Sequence, residues 1–333
     1  MRVSTNLFHS QGINSIQQHQ GDVLDMQLKL STGKRVNAPS DDPVAMSQIH
    51  SLNRTMNMLD QYADNGEYAK MQLVQEETAV SDSILQLQRA RELAVQMSTG
   101  TYSSEDRQST AYEIGEIIEQ VKNMMNYRNS DGELLFAGSS VFADAAFVED
   151  VNNPGCYSYI GSPNAGALED PLANYGSRFV QIGFDVDNKV DANDQGDSSR
   201  IRITDNGEKV FGIATTTTFA GTADSNLLNV LVELKNSLDA GDVPAAGVLD
   251  DLQAGITQLS EVRAEIGGRQ NRILAQFDAG ETFKLTLEER RMELEDMDIV
   301  EGVTELTKSQ NALQMAQQVF TRVQDMSLFN YLR

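Results

Sequence analysis

The sequence contains one cysteine, Cys156, and three histidines, His9, His19 and His50, among its 333 residues. A single cysteine excludes an intramolecular disulfide, and so few cysteines and histidines leave a zinc site without its usual ligands. Basic residues are also scarce, since 26 Lys and Arg stand against 49 Asp and Glu. The formal net charge of -23 disfavours binding to nucleic acid or to an anionic membrane.

Long apolar runs are missing as well. No stretch approaches the roughly 18 residues of a membrane span, and the first residues, MRVSTNLFHSQGINS, lack the apolar core of a secretory signal peptide. We therefore expect no membrane anchor and no cleaved signal, while export by a route that reads an uncleaved N-terminus stays open. With 40% hydrophobic residues, the chain is apolar enough to form the cores of two or three domains.

Negative charge is concentrated away from the chain ends. Residues 1–40 carry a net charge of +2 and residues 303–333 a net charge of +1, which leaves -26 for the rest of the chain. Ends without net repulsion could meet other copies while the acidic body keeps those copies soluble. In segments this short, the difference could equally arise by chance.

Proline is absent from residues 44–153, and the apolar pattern there is helical. Apolar residues recur over residues 45–94 at alternating spacings of four and three, which predicts one helix about 75 Å long, packed lengthwise against others. Ser103 and Asp106 stand at the two key positions of a capping box, which predicts the start of a second helix. The predicted inner face of that helix comprises Ala111, Ile114, Ile118, Val121 and Met125.

The segment LSTGKRVNAPSDDPV, residues 30–44, raises the question of a nucleotide or metal site. Leu28 stands where a phosphate loop has its first glycine. Asp41 and Asp42 have no His, Cys or Glu nearby, which disfavours a metal. Asp42 is instead a favourable N-cap and Pro43 a favourable first helical residue, so the segment is predicted to join two helices.

Residues 147–223 are predicted to form a small β domain. Prolines and glycines accumulate there between short alternating segments, which are Cys156–Ile160, Ser177–Asp185, Arg200–Thr204 and Lys209–Gly212. Asn206 and Gly207 between the last two segments predict a β-hairpin. Helical periodicity returns at Asp224, so the β domain is interpreted as an insertion at the end of a helical bundle.

The sequence nowhere gathers the groups that an enzyme needs. The acidic segment 185–197 is similar to a calcium loop, but Arg202 stands where an EF-hand has its bidentate carboxylate. A solvated acidic loop is therefore favoured. The sequence also lacks a convergent nucleophile–base pair, a phosphate loop and a metal cluster. We expect a protein that is not an enzyme and has no catalytic residues, no cofactor and no metal.

The two chain ends carry matching helical stripes of apolar residues. Glutamines such as Gln20 and Gln310 interrupt both stripes, which weakens a helical seam while fixing its register. We interpret the ends as assembly segments that become ordered against other subunits. The candidate assembly interface comprises Ile13, Ile16, Val23, Leu30, Val303, Leu306, Leu313, Phe320 and Phe329. Phe320 is expected to be largely exposed in one chain and buried between subunits.

Together these patterns predict a mainly α fold. It is a long antiparallel helical bundle or coiled coil built from both chain ends, with a small inserted β-rich domain. The predicted parts are terminal helices in 1–40 and 296–333, a bundle core in 41–146 and 224–295, and an outer β domain in 147–223. A coiled-coil regulatory protein would share the long helices but would not require the paired terminal stripes.

Three segments resemble the flagellin family of bacterial proteins. They are residues 30–44, LQRARELAVQ at 87–96 and MSLFNYL at 326–332. Within the family, the first and last segments resemble the hook-associated members at the hook-filament junction more than filament flagellin. The resemblance implies a structural adaptor that joins hook to filament as a ring, through coiled-coil packing of its terminal helices. Filament flagellin itself is the alternative.

The resemblance also implies partners and a location. Neighbours would be further copies of the chain, the other hook-filament junction protein and flagellin, and an export chaperone and the flagellar export apparatus would handle the chain before assembly. It would act in the extracellular flagellum, without nucleic acid, membrane or cofactor. Arg89, Leu93 and Glu113 are similar to a flagellin patch that a mammalian innate immune receptor binds. The alternative, which we favour, is a packed Leu93 beside two ordinary surface charges.

Overall fold

The computed structural model describes residues 2–138, 140, 143–161, 178–184, 199–216 and 223–329. The chain divides into two compact units: Met1–Met58 with Thr282–Arg333, here called unit 1, and Leu59–Glu281, here called unit 2. In chain order the elements are α1 Arg2–Thr32, α2 Pro43–Met97, α3 Ser104–Met125, β1 Phe147–Glu149, β2 Tyr157–Tyr159, β3 Phe179–Gln181, β4 Arg200–Arg202, α4 Gly207–Phe211, α5 Leu227–Asp239, α6 Ala246–Glu295 and α7 Ile299–Phe329. The predicted mainly α fold with a small β-containing middle region is confirmed.

The starts of α2 and α3 lie where the capping residues predict them. Asp42 Oδ1 accepts hydrogen bonds from the backbone N–H groups of Val44, at 3.1 Å, and Ala45, at 2.9 Å. Ser103 Oγ accepts from the N–H of Asp106 at 3.2 Å, while the Asp106 carboxylate accepts from the N–H of Ser103 at 3.0 Å. These bonds satisfy N–H groups that the first helical turn leaves without backbone partners.

Unit 2 has the larger apolar core. Helices α3 and α5 pack against each other, and every predicted inner-face residue of α3 is buried. The buried apolar side chains around them form one cluster. Those on α5 are Leu227, Leu228, Val230, Leu231, Val232, Leu234 and Leu238. Those from the chain segment that follows α3 and precedes α5 include Leu134, Leu135, Phe136, Phe147, Ile201 and Phe211. The chain after α3 therefore contributes to the same core as the long helices.

The strands form two small antiparallel sheets. Strand β1 pairs with β2, with Phe147 opposite Tyr159, and β3 pairs with β4, with Phe179 opposite Arg202. Three of the predicted alternating segments thus contain strands. The acidic segment 185–197, which is similar to a calcium loop, lies outside the described residues.

The predicted hairpin at Asn206 and Gly207 is wrong. These residues start the short helix α4, because Asn206 Oδ1 accepts from the N–H of Glu208 at 2.8 Å and acts as an N-cap. Gly207 is required by close packing, since an added Cβ would lie 2.6 Å from the Phe147 ring and 2.8 Å from the Phe136 carbonyl oxygen. An Asn-Gly pair suits both a tight turn and a capped, crowded helix start, and the buried aromatic rings select the second.

The predicted three-part division of the chain stays a prediction. Unit 1 includes the two predicted terminal segments and also the beginning of α2 and the end of α6. The beginning of α2 and the end of α6 therefore belong with the terminal pair in one compact unit, while the rest of both helices belongs to unit 2.

Candidate functional site: the paired terminal helices

Helices α1 and α7 pack side by side in unit 1. A Cβ added at Gly12 would lie 2.7 Å from the Phe320 ring, and one added at Gly302 would lie 3.2 Å from Leu30. The end of α1 therefore lies beside the start of α7, which makes the pair antiparallel. Partly or fully buried positions on both helices include a set that recurs every three or four residues, as in a coiled-coil seam. The seam positions are His9, Gly12, Ile16, His19, Val23, Met26 and Leu30 on α1, and Gly302, Leu306, Ser309, Leu313, Ala316 and Phe320 on α7.

The predicted interface residues divide between the seam and the outside of the pair. Six are partly buried in the seam of a single chain: Ile16, Val23, Leu30, Leu306, Leu313 and Phe320. Ile13 and Val303 are exposed on the outside. The side chain of Phe329 lies outside the described part of the chain. Whether these residues meet other subunits stays a prediction.

The expectation that Phe320 is largely exposed in a single chain is wrong. Its ring lies edge-on to His9, with the ring centroids 5.5 Å apart, and directly over Gly12. Because Gly12 has no side chain, α1 leaves a slot that the phenyl ring fills. The sequence signal for this packing is a glycine on α1 and two small residues on α7, Ser309 and Ala316, at seam spacing, which a search for apolar residues alone does not select.

The outside of the pair keeps a row of exposed apolar side chains. On α7, Met315, Val319 and Val323 follow at intervals of four and share one flank, and Met315 is 68% exposed. Glutamines occupy the other flank, at Gln310 and Gln314. A shallow groove along α7 is lined by Val303, Thr304, Thr307, Lys308, Asn311, Ala312 and Met315. On α1 the exposed apolar residues include Leu7, Leu24 and Leu28.

A crossing of two chain segments holds the pair at its base. The segment after α1 lies antiparallel to the segment that links α6 and α7. The N–H of Met297 donates to the carbonyl oxygen of Gly33 at 2.9 Å, and the N–H of Arg35 donates to that of Glu295 at 2.7 Å. The Arg35 guanidinium also donates to the carbonyl oxygen of Leu294 at 2.8 Å. The segment that is predicted to join two helices therefore forms a hydrogen-bonded crossing with the α6–α7 connection. This crossing is here called the joint.

An apolar contact and an ion pair complete the joint. Val36 is buried and packs with Ala45 and Ile49 of α2. The Lys34 ammonium forms an ion pair with the Glu295 carboxylate. The residues of segment 30–44 that form the joint thus contact other parts of the protein.

The two aspartates of the joint serve the backbone. Asp41 accepts from the N–H groups of Ala38 and Asn37, both at 3.0 Å, and these bonds lower its pKa. Asp42 caps α2, and the N–H of Ala45 is the main cause of its lowered pKa. Because both folded values lie below the ordinary 3.8, the stabilisation is present above that pH and is lost as the pH falls through the folded values.

We expect Gly33→Ala to loosen the joint. Gly33 has φ of +72°, a conformation that costs other residues about 1–2 kcal/mol. Hydrogen exchange at the N–H of Met297, which donates to Gly33, should therefore become faster. Gly21→Ala is the matched control, because Gly21 is helical and nothing lies within 4 Å of an added Cβ. Unchanged exchange at Met297 in Gly33→Ala would show that the joint does not depend on this conformation.

The structure brings together Arg89, Leu93 and Glu113, in unit 2. Arg89 of α2 donates from Nε to Oε1 of Glu113 of α3 at 2.8 Å, and its Nη2 lies 2.7 Å from the same oxygen. Leu93 is only 4% exposed and belongs to the core. This arrangement is a packing contact between two helices with an ion pair at its rim, which supports the favoured interpretation.

Other kinds of site find little support in the described part of the chain. No helix there is both long enough and apolar enough to cross a bilayer. Within the same residues, no group of three or more His, Cys, Asp and Glu side chains is placed to hold a metal ion. The Cys156 thiol has a raised pKa, chiefly because of burial, so its reactive thiolate form is disfavoured.

Comparison with known proteins places both ends of the chain in one family. Residues 3–141 match the bacterial flagellin N-terminal helical region, and residues 249–332 match the bacterial flagellin C-terminal helical region. The flagellar hook-associated protein 3 of Escherichia coli is 29% identical over 334 residues, which cover 99% of each chain. The protein of that name from Salmonella typhimurium is 26% identical over 348 residues, which cover 100% of each chain.

A solved structure shows the same fold. The flagellar junction protein of Legionella pneumophila superposes with a TM-score of 0.55 at 14% identity, covering 74% of this chain and 99% of that one. These relatives are structural flagellar proteins, so the prediction that the chain is not an enzyme is confirmed. The two matched regions contain the helices that pair in unit 1, α1 and α7. The chain belongs to the bacterial flagellin family.

Proposed function

We propose that this protein is a structural adaptor of the bacterial flagellum, which joins the hook to the filament and assembles there as a ring. The observation that carries the proposal is its end-to-end similarity to two proteins named flagellar hook-associated protein 3. The motifs around the joint and in the closing segment favour the same position. The paired terminal helices supply a surface through which such a subunit can assemble.

The outside of the α1–α7 pair offers two different apolar surfaces. One is the flank of α7 with Met315 and Val319, and the other is the outward side of α1 with Leu24 and Leu28. If the α7 flank of one copy packs on α1 of the next, every contact uses two different surfaces. Such contacts generate a closed ring or a helix rather than an isolated dimer. This geometry is what a tubular junction requires.

Burial of these side chains would favour assembly. Each Met, Leu or Val that moves from water into a contact contributes about 1.5–3 kcal/mol when it is fully buried. Three or four such residues per contact, repeated around a ring, offset a substantial part of the entropy lost on association. The packing of α1 against α7 holds the two helices together, and their outward side chains therefore present both apolar surfaces for such contacts.

The partners follow from a position at the junction. Copies of the chain would be lateral neighbours, the other hook-filament junction protein would lie on the hook side, and flagellin would lie on the filament side. An export chaperone would hold the chain before it passes through the flagellar export apparatus. The final location is extracellular, in the flagellum, and no nucleic acid, membrane or cofactor takes part.

We expect salt to promote assembly. Unit 2 carries 36 acidic and 15 basic residues, whereas unit 1 carries 13 and 11. Copies brought together through unit 1 therefore repel through unit 2. Salt weakens this repulsion, since at 0.1 M charges more than about 10 Å apart are largely screened from each other. Sedimentation of purified protein should show more assembly as NaCl rises from about 0.05 to about 0.5 M. Assembly that falls with salt would instead point to contacts held by ion pairs.

Deletion of the gene tests the adaptor role. We expect cells with hooks but no filaments, seen by electron microscopy, and unpolymerised flagellin in the culture medium. Filaments of normal length and number in the deletion strain would contradict the proposal. The alternative of filament flagellin predicts missing filaments without any flagellin released, so the medium distinguishes the two.

A further inference from the structure

Unit 2 buries a cluster of four charged side chains between its helices and β4. Glu76 of α2 is 1% exposed, and Asp205, just before α4, is 3% exposed. Arg202 of β4 places Nε 2.6 Å from Asp205 Oδ1, and Arg269 of α6 places Nη2 2.5 Å from Asp205 Oδ2. Both oxygens of Asp205 are therefore taken by arginines from two different elements.

Glu76 has no comparable partner. Neither of its carboxylate oxygens has a hydrogen-bond donor among the residues that the structure describes. The nearest cation recorded beside it, Arg269 Nη1, lies 4.0 Å from Oε2. A buried carboxylate without donors is unfavourable, because it has lost its hydration and no hydrogen bond from the protein replaces it. The Asp205 side chain lies within hydrogen-bonding reach of Glu76. A protonated Glu76 therefore removes this difficulty, since its O–H can donate to the Asp205 carboxylate.

Other charged side chains lie around the cluster. Glu265 of α6 lies 3.3 Å from Arg202 and 3.9 Å from Lys209 of α4. Neighbouring elements also contribute the ion pairs Glu77–Arg263 and Glu133–Arg178. Arg269 lies 2.5 Å from Asp205 but 4.0 Å from Glu76, so an ionised Glu76 would be a buried charge without a close counter-charge.

The electrostatics of the pair agree with this geometry. Burial raises the pKa of Glu76 well above its usual 4.5, and the Asp205 carboxylate acts in the same direction. Burial also acts to raise the pKa of Asp205, but the ion pairs with Arg269 and Arg202 outweigh it and lower that pKa. The two carboxyl groups thus separate into one acid and one carboxylate.

We propose that Glu76 is a neutral carboxylic acid at neutral pH, that its O–H donates to Asp205, and that folding of unit 2 consequently takes up one proton. The protonated pair links α2 to the segment between β4 and α4, which the arginines link to α6. At alkaline pH Glu76 loses this proton, and the link between α2 and the segment between β4 and α4 becomes weaker. The device is independent of the surface through which the subunits assemble.

The pH dependence has a defined sign. The folded pKa of Glu76 lies above the unfolded value of 4.5, so the folded state binds more proton between the two values. The stabilisation is complete below the unfolded pKa and is lost as the pH rises through the folded one. Between these values the folding equilibrium constant should fall by about tenfold per pH unit on account of this group.

The test compares Glu76→Gln with the wild type. The amide can donate to Asp205 but cannot titrate, so the variant should fold and lose this component of the pH dependence. Denaturant unfolding is to be measured from about pH 5 to about pH 7. Over this range the wild-type folding constant should fall, per pH unit, about tenfold more than that of Glu76→Gln. Glu67→Gln is the matched control, because Glu67 is an exposed carboxylate on the same helix, and it should behave like the wild type. Equal slopes for wild type and Glu76→Gln would overturn the proposal.

Infrared spectroscopy reads the proton directly. At neutral pH the wild type should show the C=O stretch of a protonated carboxylic acid, shifted in D2O, and Glu76→Gln should lack it. The measurement on the wild type decides the matter even if the variant folds poorly. Absence of the acid band from the folded wild type would show that Glu76 is ionised, and the proposal would fail.

Discussion

A strain whose only copy of this protein carries Met315→Asp should produce hooks without filaments. Met315 is exposed on the apolar flank of α7 and lines its outer groove. The change removes about 2 kcal/mol of methionine burial from each contact, which alone weakens it roughly 30-fold. It also places an ionised carboxylate against apolar side chains, which adds a desolvation cost. Repeated around a ring, these costs should prevent assembly.

The isolated chain should tolerate the same change. Because Met315 makes little contact within the chain, the melting temperature of the purified protein should hardly move. Gln314→Asp is the matched control, since it introduces the same charge one residue away on the glutamine flank, and we expect filaments to form. Normal filaments with Met315→Asp would show that the apolar flank of α7 is not an assembly surface. A monomer that melts far earlier would show that Met315 supports the chain's own fold.

Phe211→Ala should cause the largest loss of stability of the isolated protein. Phe211 is fully buried in unit 2 and lies edge-on to Phe136 and Phe147, with ring centroids 4.9 and 5.9 Å away. Truncating such a side chain costs about 3–5 kcal/mol through lost burial and the cavity left behind. For a unit of this size the melting temperature should fall by roughly 10 °C.

Calorimetry of the purified protein checks this prediction. Phe179→Ala is the control, because Phe179 on β3 is partly exposed, and its loss should be clearly smaller. If both variants lose the same stability, the aromatic cluster around α4 does not hold unit 2 together. A small effect of Phe211→Ala would likewise mean that the surrounding side chains collapse into the space.

Features that depend on neighbours in the sequence could be predicted from it. The long helix α2 follows from its apolar period and the absence of proline. Its start follows from Asp42 and Pro43, and the start of α3 from Ser103 and Asp106, because caps use backbone groups only two or three residues away. The paired character of the two chain ends was also visible, as two stripes of the same spacing.

Features that depend on distant packing could not be predicted. Asn206 and Gly207 carry the same local signal for a hairpin and for a capped helix, and Phe136 and Phe147 decide between them. From the sequence, Glu76 is indistinguishable from a surface residue of a helix, because the residues around it, among them Asp205 and Arg269, lie far along the chain. The seam of unit 1 likewise contains His9 and Gly12, which an apolar pattern does not select.

The position of the protein on intact flagella tests the adaptor role most directly. Flagella from wild-type cells can be labelled with gold-conjugated antibodies raised against unit 2 and viewed by electron microscopy. A junction adaptor should give one narrow band of label between the hook and the filament. Label along the whole filament would identify a filament subunit instead, and an unlabelled boundary between hook and filament would contradict the proposed function.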